Sequence, residues 1–242
     1  MSALLSVSGL SRSFGAVVVA DETSFDVPKG AALGILGPNG AGKTSLFNLI
    51  TGALRPDAGR IEFNGSDITS TSAAQRSKMG IARSFQVPQP FSGMTVFENA
   101  LVGATQGAGL SGTEAEEHVI GVLEDTGLLP KANVRAGSLT LLERKRLEMA
   151  RALSAKPQLL LLDEIAGGLT EAECHALIDT IKRVHAGGTT IIWIEHVVHA
   201  LMAVVDSLLV IDFGKKIAAG EPKAIMESAE VKEIYLGMDP DV

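Results

Sequence analysis

The sequence of 242 residues predicts an α/β fold with a mostly parallel sheet, an N-terminal antiparallel β part and an inserted helical subdomain. Short apolar runs alternate with helical patterns, which is typical of βαβ units and a parallel sheet. Residues 87–155 interrupt this alternation, because helical patterns dominate there and β-branched runs are few. We therefore expect one domain, with residues 1–86 and 156–242 forming the strand-bearing core.

The individual elements follow from local patterns. Alternating β-formers predict strands with turns over residues 4–27 and another strand over 60–65, which ends in the turn signal Asn-Gly. Apolar runs predict further strands over 31–36, 158–163, 189–194 and 207–212, the first of them buried and parallel. Helical spacing predicts helices over 43–51, 114–126, 143–154, 171–186, 196–204 and 222–236.

Composition excludes several classes of protein. Hydrophobic residues make up 46% of the chain, enough for a compact core, while the net charge of −7 argues against nucleic-acid binding. The single cysteine, Cys174, excludes an internal disulfide, argues against structural zinc and suits a reducing cytoplasm. We expect no signal peptide, and no apolar run reaches the roughly 18 residues of a membrane helix. Work at a membrane would therefore require a partner.

Residues 37–44 read Gly-Pro-Asn-Gly-Ala-Gly-Lys-Thr and fit the phosphate-loop pattern G-x-x-x-x-G-K-[ST] at every fixed position. The loop follows a predicted buried strand and precedes a helix, a context that argues against a glycine-rich turn matching by chance. Glycines let backbone N–H groups turn towards an anion, Lys43 would reach the β- and γ-phosphates, and Thr44 would bind Mg²⁺. The predicted ATP-binding residues are Gly37, Pro38, Asn39, Gly40, Ala41, Gly42, Lys43, Thr44 and Ser45.

An acidic pair, Asp163-Glu164, ends the second buried apolar run. The carboxyl end of a strand is where α/β sheets bind ligands, and adjacent side chains of an extended chain point in different directions. Asp163 suits Mg²⁺ binding, and Glu164 suits the role of general base for an attacking water. A solvated strand end is the alternative, but a phosphate loop on the same predicted sheet favours the catalytic interpretation.

The order of the motifs resembles that of nucleotide-binding subunits of ABC transporters over nearly the whole chain. The motifs are residues 37–44, Arg83-Ser-Phe-Gln, Ala150-Arg-Ala-Leu, residues 159–164, Gly168-Leu-Thr and Glu195-His. The resemblance implies a P-loop NTPase core of the ABC ATPase type. It also implies that Phe14 stacks on adenine, Gln86 senses Mg²⁺ and the water, and His196 contacts the γ-phosphate. The alternatives are a partly buried core phenylalanine, an ordinary polar loop residue and a structural histidine.

Further stretches resemble the branched-chain amino acid importers, although urea importers and lipopolysaccharide exporters have similar subunits. The stretches are residues 37–52, 82–86, 95–99, 166–170 and 194–197. This resemblance implies permease subunits, a like or unlike second ATPase subunit in a head-to-tail dimer, and indirectly a solute-binding protein. It places the chain in the cytoplasm, on the inner face of the membrane. Related ATPases that act on ribosomes or DNA generally carry two cassettes or long coiled coils, and neither is visible here.

The chain departs from the family signature Leu-Ser-Gly-Gly-Gln, because it has Leu139-Thr-Leu-Leu-Glu143. In the family this segment contacts the γ-phosphate held by the other subunit, so Thr140 is a candidate nucleotide contact. Bulky leucines and the Glu143 charge favour a regulatory subunit with weak hydrolysis. The alternative, which we favour, is tolerance, with Leu141 and Leu142 turned into the helical subdomain. Ile165 stands where the family usually has Pro, and Thr170 stands where many members have Asp. Both departures concern communication between the subunits.

The loop 87–100 follows Gln86, and the resemblance implies that it transmits closure to a membrane partner. Phe91, Met94, Val96 and Phe97 would give it an apolar docking face. The same four residues fit an ordinary subdomain core equally well, and sequence alone does not separate the two.

Overall fold

The protein is described here by a computed structural model that covers residues 3–236. The strands are β1 (Ala3–Phe14), β2 (Val17–Pro28), β3 (Ala32–Leu36), β4 (Ala58–Phe63), β5 (Ser66–Asp67), β6 (Ile81–Ser84), β7 (Leu159–Asp163), β8 (Thr190–Ile194), β9 (Ser207–Asp212) and β10 (Lys215–Gly220). The helices are α1 (Lys43–Thr51), α2 (Ala73–Lys78), α3 (Val96–Val102), α4 (Gly112–Asp125), α5 (Leu141–Ser154), α6 (Glu171–Ala186), α7 (Val198–Met202), α8 (Pro222–Glu227) and α9 (Ala229–Leu236). The chain forms two compact units, Met1–Ala73 with Thr190–Val242, and Ala74–Thr189.

The first unit contains the predicted antiparallel β part, a sheet in the order β2-β1-β4-β5. In the other group of strands of this unit, β3 lies between β8 and β9 and is parallel to both. Strand β10 adds an antiparallel edge beside β9. All residues of β3 and β8 are buried, which explains why both strands read as continuous apolar runs.

The second unit is mainly helical, with β6 and β7 paired in parallel. Helices α3, α4 and α5 contribute to one apolar cluster, whose members include Val96, Ala100, Val119, Leu123, Leu147 and Ala150. The predicted α/β class, with parallel pairing and an antiparallel N-terminal part, is confirmed.

Two predicted helices have different bounds in the structure. The helix expected over 196–204 shortens to α7, because Val197 has a non-helical conformation. The single helix expected over 222–236 is two helices, α8 and α9, because the backbone of Ser228 is extended. Ser228 Oγ accepts from the amide of Val231 at 3.4 Å, so a short polar residue separates the two helices.

The structure separates the two interpretations of the residues after Gln86. Val96 is fully buried, and Phe97 packs against the apolar cluster of the second unit. Phe91 remains 49% exposed. The set is therefore mixed, with Val96 and Phe97 belonging to the core and Phe91 lying on the surface.

Candidate functional site

The phosphate loop of the first unit joins β3 to α1 through a backbone turn that requires glycine. Gly42 has a φ of +99° at the N-terminus of α1, a conformation that residues with a side chain rarely adopt. A Cβ atom at this position would lie 2.2 Å from the carbonyl oxygen of Val19. Strand β2 thus packs directly against the loop backbone, and no side chain fits between them.

Lys43 is held inside the curve of this loop, where it is only 5% exposed. Its Nζ donates to the carbonyl oxygens of Gly37 at 2.7 Å and Pro38 at 2.9 Å. Thr44, the next residue, is exposed and Ser45 is half-buried. A positive charge and the amide groups at the start of α1 therefore lie together, which favours an anionic ligand such as a polyphosphate.

The turn between β9 and β10 is hydrogen-bonded to the phosphate loop, a contact that the sequence analysis missed. The amide of Gly214 donates to Ala41 at 2.9 Å, and the carbonyl of Gly214 accepts from the amide of Asp21 and the hydroxyl of Thr23. Gly214 has a φ of +76°. Gly214 was the only sequence signal for this contact, and a glycine alone does not show which loop a turn contacts.

Two further candidates lie in the first unit. His196 is the second residue after β8, and its amide donates at 3.0 Å to Glu195, whose side chain is buried. Phe14, at the end of β1, is 50% exposed, so it is not the partly buried core residue that the sequence left as the alternative. The guanidinium carbon of Arg12 lies 4.6 Å from the centre of the Phe14 ring, which fixes one face of an otherwise accessible aromatic side chain.

The second unit brings Asp163 together with a cation that the sequence analysis did not single out. Asp163 ends β7 and forms an ion pair with Arg83 on the neighbouring strand β6. Both side chains are less than a tenth exposed, at 4% and 8%. A basic residue within the apolar strand Ile81-Ala-Arg-Ser was a signal, since a buried charge requires a partner.

The predicted residues Gln86 and Glu164 are in contact. The side-chain amide of Gln86 donates to a carboxylate oxygen of Glu164. Glu164 has a φ of +46°, so the chain leaves β7 through a left-handed residue that is not glycine. Such strained residues are concentrated at functional sites, where the surrounding structure holds them in place.

The altered signature segment forms the N-terminus of α5 through a capping box. Thr140 Oγ1 accepts from the amide of Glu143 at 3.3 Å, and the Glu143 carboxylate accepts from the amide of Thr140 at 2.9 Å. The pKa of Glu143 lies below its ordinary value, mainly because of this backbone hydrogen bond and further because of Lys131. Leu141 is 44% exposed, so the expectation that it turns into the helical subdomain is wrong. It occupies the first position of α5, on the side open to solvent.

Helix α5 also carries polar side chains that reach the loops around these residues. Glu148 accepts from the amide of Gln89 at 2.9 Å and pairs with Arg151 at 2.8 Å, while Arg151 donates to the carbonyl of Gln89. Burial raises the pKa of Glu148, against the opposing effect of Arg151. Lys145 donates to the carbonyl oxygens of Ile165 and Gly167. The segments after Gln86 and after Glu164 are thus both bound to one helix.

Within residues 3–236, no group of three or more His, Cys, Asp or Glu side chains could hold a metal ion. Proteins usually bind Mg²⁺ through one or two carboxylates, while water and substrate phosphates supply the other ligands. The single carboxylate of Asp163 therefore suits Mg²⁺ only when a nucleotide is also bound. In the same range, none of the helices has the length and apolarity to cross a membrane.

Comparison with known proteins gives consistent matches over almost the whole chain. The family model described as "ABC transporter" matches residues 20–167. BraF of Pseudomonas aeruginosa, named a high-affinity branched-chain amino acid transport ATP-binding protein, is 34% identical over 97% of this chain and 98% of its own. LivG of Escherichia coli, which has the same description, is also 34% identical with the same coverage. A crystal structure of the ADP conformation of an ABC transporter cassette superposes with a TM-score of 0.89 and 32% identity, covering 98% of this chain and 100% of the other.

The close approach of β2 to the phosphate loop gives a first prediction. Gly42→Ala forces a side chain against the Val19 carbonyl in a left-handed conformation, so we expect loss of ATP affinity and a cost above about 1–2 kcal/mol. Gly30→Ala is the matched control, because Gly30 has a φ of +76° but open space around a Cβ. Urea denaturation and titration with a fluorescent ATP analogue measure both variants. Equal effects of the two substitutions would contradict the role of the Val19 contact.

Proposed function

We propose, since the chain belongs to the ABC transporter family and is an ATPase of that family, that it powers the import of branched-chain or related amino acids. The phosphate loop carries the ATPase part of this proposal, because Lys43 and the amides of α1 form a site for a polyphosphate. The names of BraF and LivG support the substrate class. Solute contacts belong to other subunits, so urea or lipopolysaccharide transport remains the alternative at the level of this chain.

In the proposed reaction, ATP binds with its phosphates on residues 37–45 and its adenine against the exposed ring of Phe14. The fixed ammonium of Lys43 binds the β- and γ-phosphates. Thr44, Asp163 and Gln86 would hold Mg²⁺, which neutralises charge on the phosphates when it is bound. Phosphoryl transfer needs little covalent chemistry from the protein, so these residues act mainly by positioning and charge stabilisation.

Glu164 is the proposed general base that polarises the attacking water. The amide of Gln86 donates to a carboxylate oxygen of Glu164 and thereby orients the carboxylate that would accept the proton of the water. His196 is the proposed contact of the γ-phosphate. None of these groups needs to form a covalent intermediate.

Glu164→Gln tests the proposed base. The amide cannot accept a proton, so we expect kcat to fall by about 10²- to 10⁴-fold while ATP affinity is retained. Glu171→Gln is the control, since Glu171 is an exposed glutamate in the first turn of α6. Phosphate release and ATP binding are measured for both variants. A Glu164→Gln enzyme with unchanged kcat would refute the assignment.

The proposed membrane partner is a pair of permease subunits, which would hold the chain on the inner face of the membrane. Three exposed apolar side chains in the segment around Gln86 support this: Phe85, Val87 and Phe91, with exposures of 49%, 65% and 49%. The backbone of Phe91 is fixed by Asn99, which donates to its carbonyl and accepts from its amide. A rigidly presented aromatic side chain is typical of an interface anchor.

Phe91→Ser is expected to weaken binding to the permease by about 2 kcal/mol or more. Phe213→Ser is the matched control, because Phe213 is 77% exposed but belongs to the first unit. Co-purification of the assembled complex at increasing salt and detergent measures the effect. Equal losses of permease binding for the two variants would contradict a specific role of Phe91 in the interface.

A regulatory subunit with weak hydrolysis, paired with an unlike ATPase, is a second candidate. The exposure of Leu141 and the Glu143 carboxylate bound at the start of α5 favour it, because both lie where the family has glycines and a neutral glutamine. A negative charge repels a phosphate brought to this helix end by about 1 kcal/mol in water.

Glu143→Gln tests that repulsion without loss of the cap, because glutamine also completes a capping box. We expect hydrolysis to rise by about fivefold, the equivalent of the repulsion above. Glu173→Gln is the control, since Glu173 holds the same position in the capping box of α6. Steady-state phosphate release at saturating ATP measures both. An unchanged rate would indicate that the altered signature segment still supports hydrolysis, which argues against the regulatory subunit.

A further inference from the structure

Lys145 is the buried cation of α5, whereas Arg144 is exposed and Arg146 and Arg151 are half-buried. Only 4% of the residue is exposed. Its ammonium donates to the carbonyl of Ile165 at 2.7 Å and to that of Gly167 at 2.5 Å. Burial of an ammonium is unfavourable unless its donors are satisfied, so these two bonds account for a charge at this position.

The two carbonyls belong to the loop between Glu164 and α6. This loop begins at the left-handed Glu164 and contains Gly167 and Gly168, both exposed. Its internal support includes one backbone bond, from the amide of Leu169 to Ala166 at 3.3 Å. A segment with two adjacent glycines has many accessible conformations, so an external pair of hydrogen bonds selects one of them.

The start of α5 lies near the same loop at a second point. A Cβ atom placed on Gly168 would lie 3.5 Å from the Cδ2 atom of Leu141, within van der Waals contact. Leu141 belongs to the signature segment, and Lys145 follows it by one helical turn. The signature segment and the loop that begins at Glu164 therefore share one helix as their support.

We propose that Lys145 is a positioning residue for ATP hydrolysis. Its ammonium fixes the backbone of residues 165–167 and thereby the direction in which Glu164 presents its carboxylate. This inference rests on the proposed function of Glu164 as the general base. It also means that a displacement of the signature segment reaches Glu164 through α5, so the two catalytic elements of one subunit are mechanically linked.

The test compares Lys145→Met, Lys145→Gln and Lys145→Arg with Lys182→Met, which removes an exposed lysine of α6. Methionine keeps the apolar stem of Lys145 but has no donor, glutamine keeps a neutral donor, and arginine keeps the charge. Amide hydrogen exchange of residues 164–170 is measured without nucleotide. The kcat and KM for ATP and the binding of ATP are measured separately.

Lys145→Met is expected to speed exchange in residues 164–170 and to lower kcat about 10- to 100-fold, while KM stays within about twofold. Lys145→Gln should lie between it and the parent, and Lys145→Arg should restore much of kcat. Lys182→Met should match the parent. A variant that is merely less stable would instead speed exchange throughout the chain and lose ATP binding in parallel.

Two results would overturn the inference. Unchanged exchange in residues 164–170 for both Lys145→Met and Lys145→Gln would show that the two carbonyls do not depend on the ammonium. Faster exchange with unchanged kcat would show that loop position does not matter for the reaction, provided that Glu164→Gln still abolishes hydrolysis. If Glu164→Gln leaves hydrolysis unchanged, the proposed base fails, and the positioning role fails with it.

Discussion

Hydrogen bonds from the side chains of α5 to loop backbone are the constraint on which the second unit depends. The chain leaves β6 and β7 through irregular segments, and buried polar groups in such segments need partners outside regular secondary structure. Glu148 and Arg151 supply them at Gln89, and Lys145 supplies them at Ile165 and Gly167. The loops that carry Gln86 and Glu164 are therefore ordered by charged groups on a helix.

The first unit orders its loop by a different means, and the difference has consequences for mutation. There the phosphate loop is held by backbone contacts, with β2 packed on Gly42 and the amide of Gly214 bound to Ala41. Close backbone packing tolerates no added side chain but is indifferent to charge. The second unit has the opposite sensitivity, because a methionine at Lys145 or Glu148 keeps much of the volume and removes the hydrogen bonds.

The sequence predicted those features that depend on local pattern. Apolar runs located β3, β7 and β8, the glycine-rich motif located the phosphate loop, and the ABC family resemblance is confirmed. Tertiary contacts were not predictable in the same way. Lys145 stands between Arg144 and Arg146 in the sequence, and nothing in that local pattern shows that Lys145 is buried with its ammonium on the carbonyl of Ile165. Pairing of Arg83 with Asp163 likewise depends on strand order, which a single sequence does not specify.

The two departures in the signature segment have different physical meanings. Glu143 completes a capping box, and the same box recurs at α3 with Thr95 and Glu98 and at α6 with Thr170 and Glu173. A glutamate at this position is therefore explained by helix stability alone, since it satisfies an amide that the helix leaves unpaired. Leu141 has no such explanation, because its side chain is exposed and contributes little to the fold. An exposed leucine at the end of the helix that supports Glu164 is better placed to meet another surface than to stabilise its own, so Leu141 is the departure from the signature that helix stability does not explain.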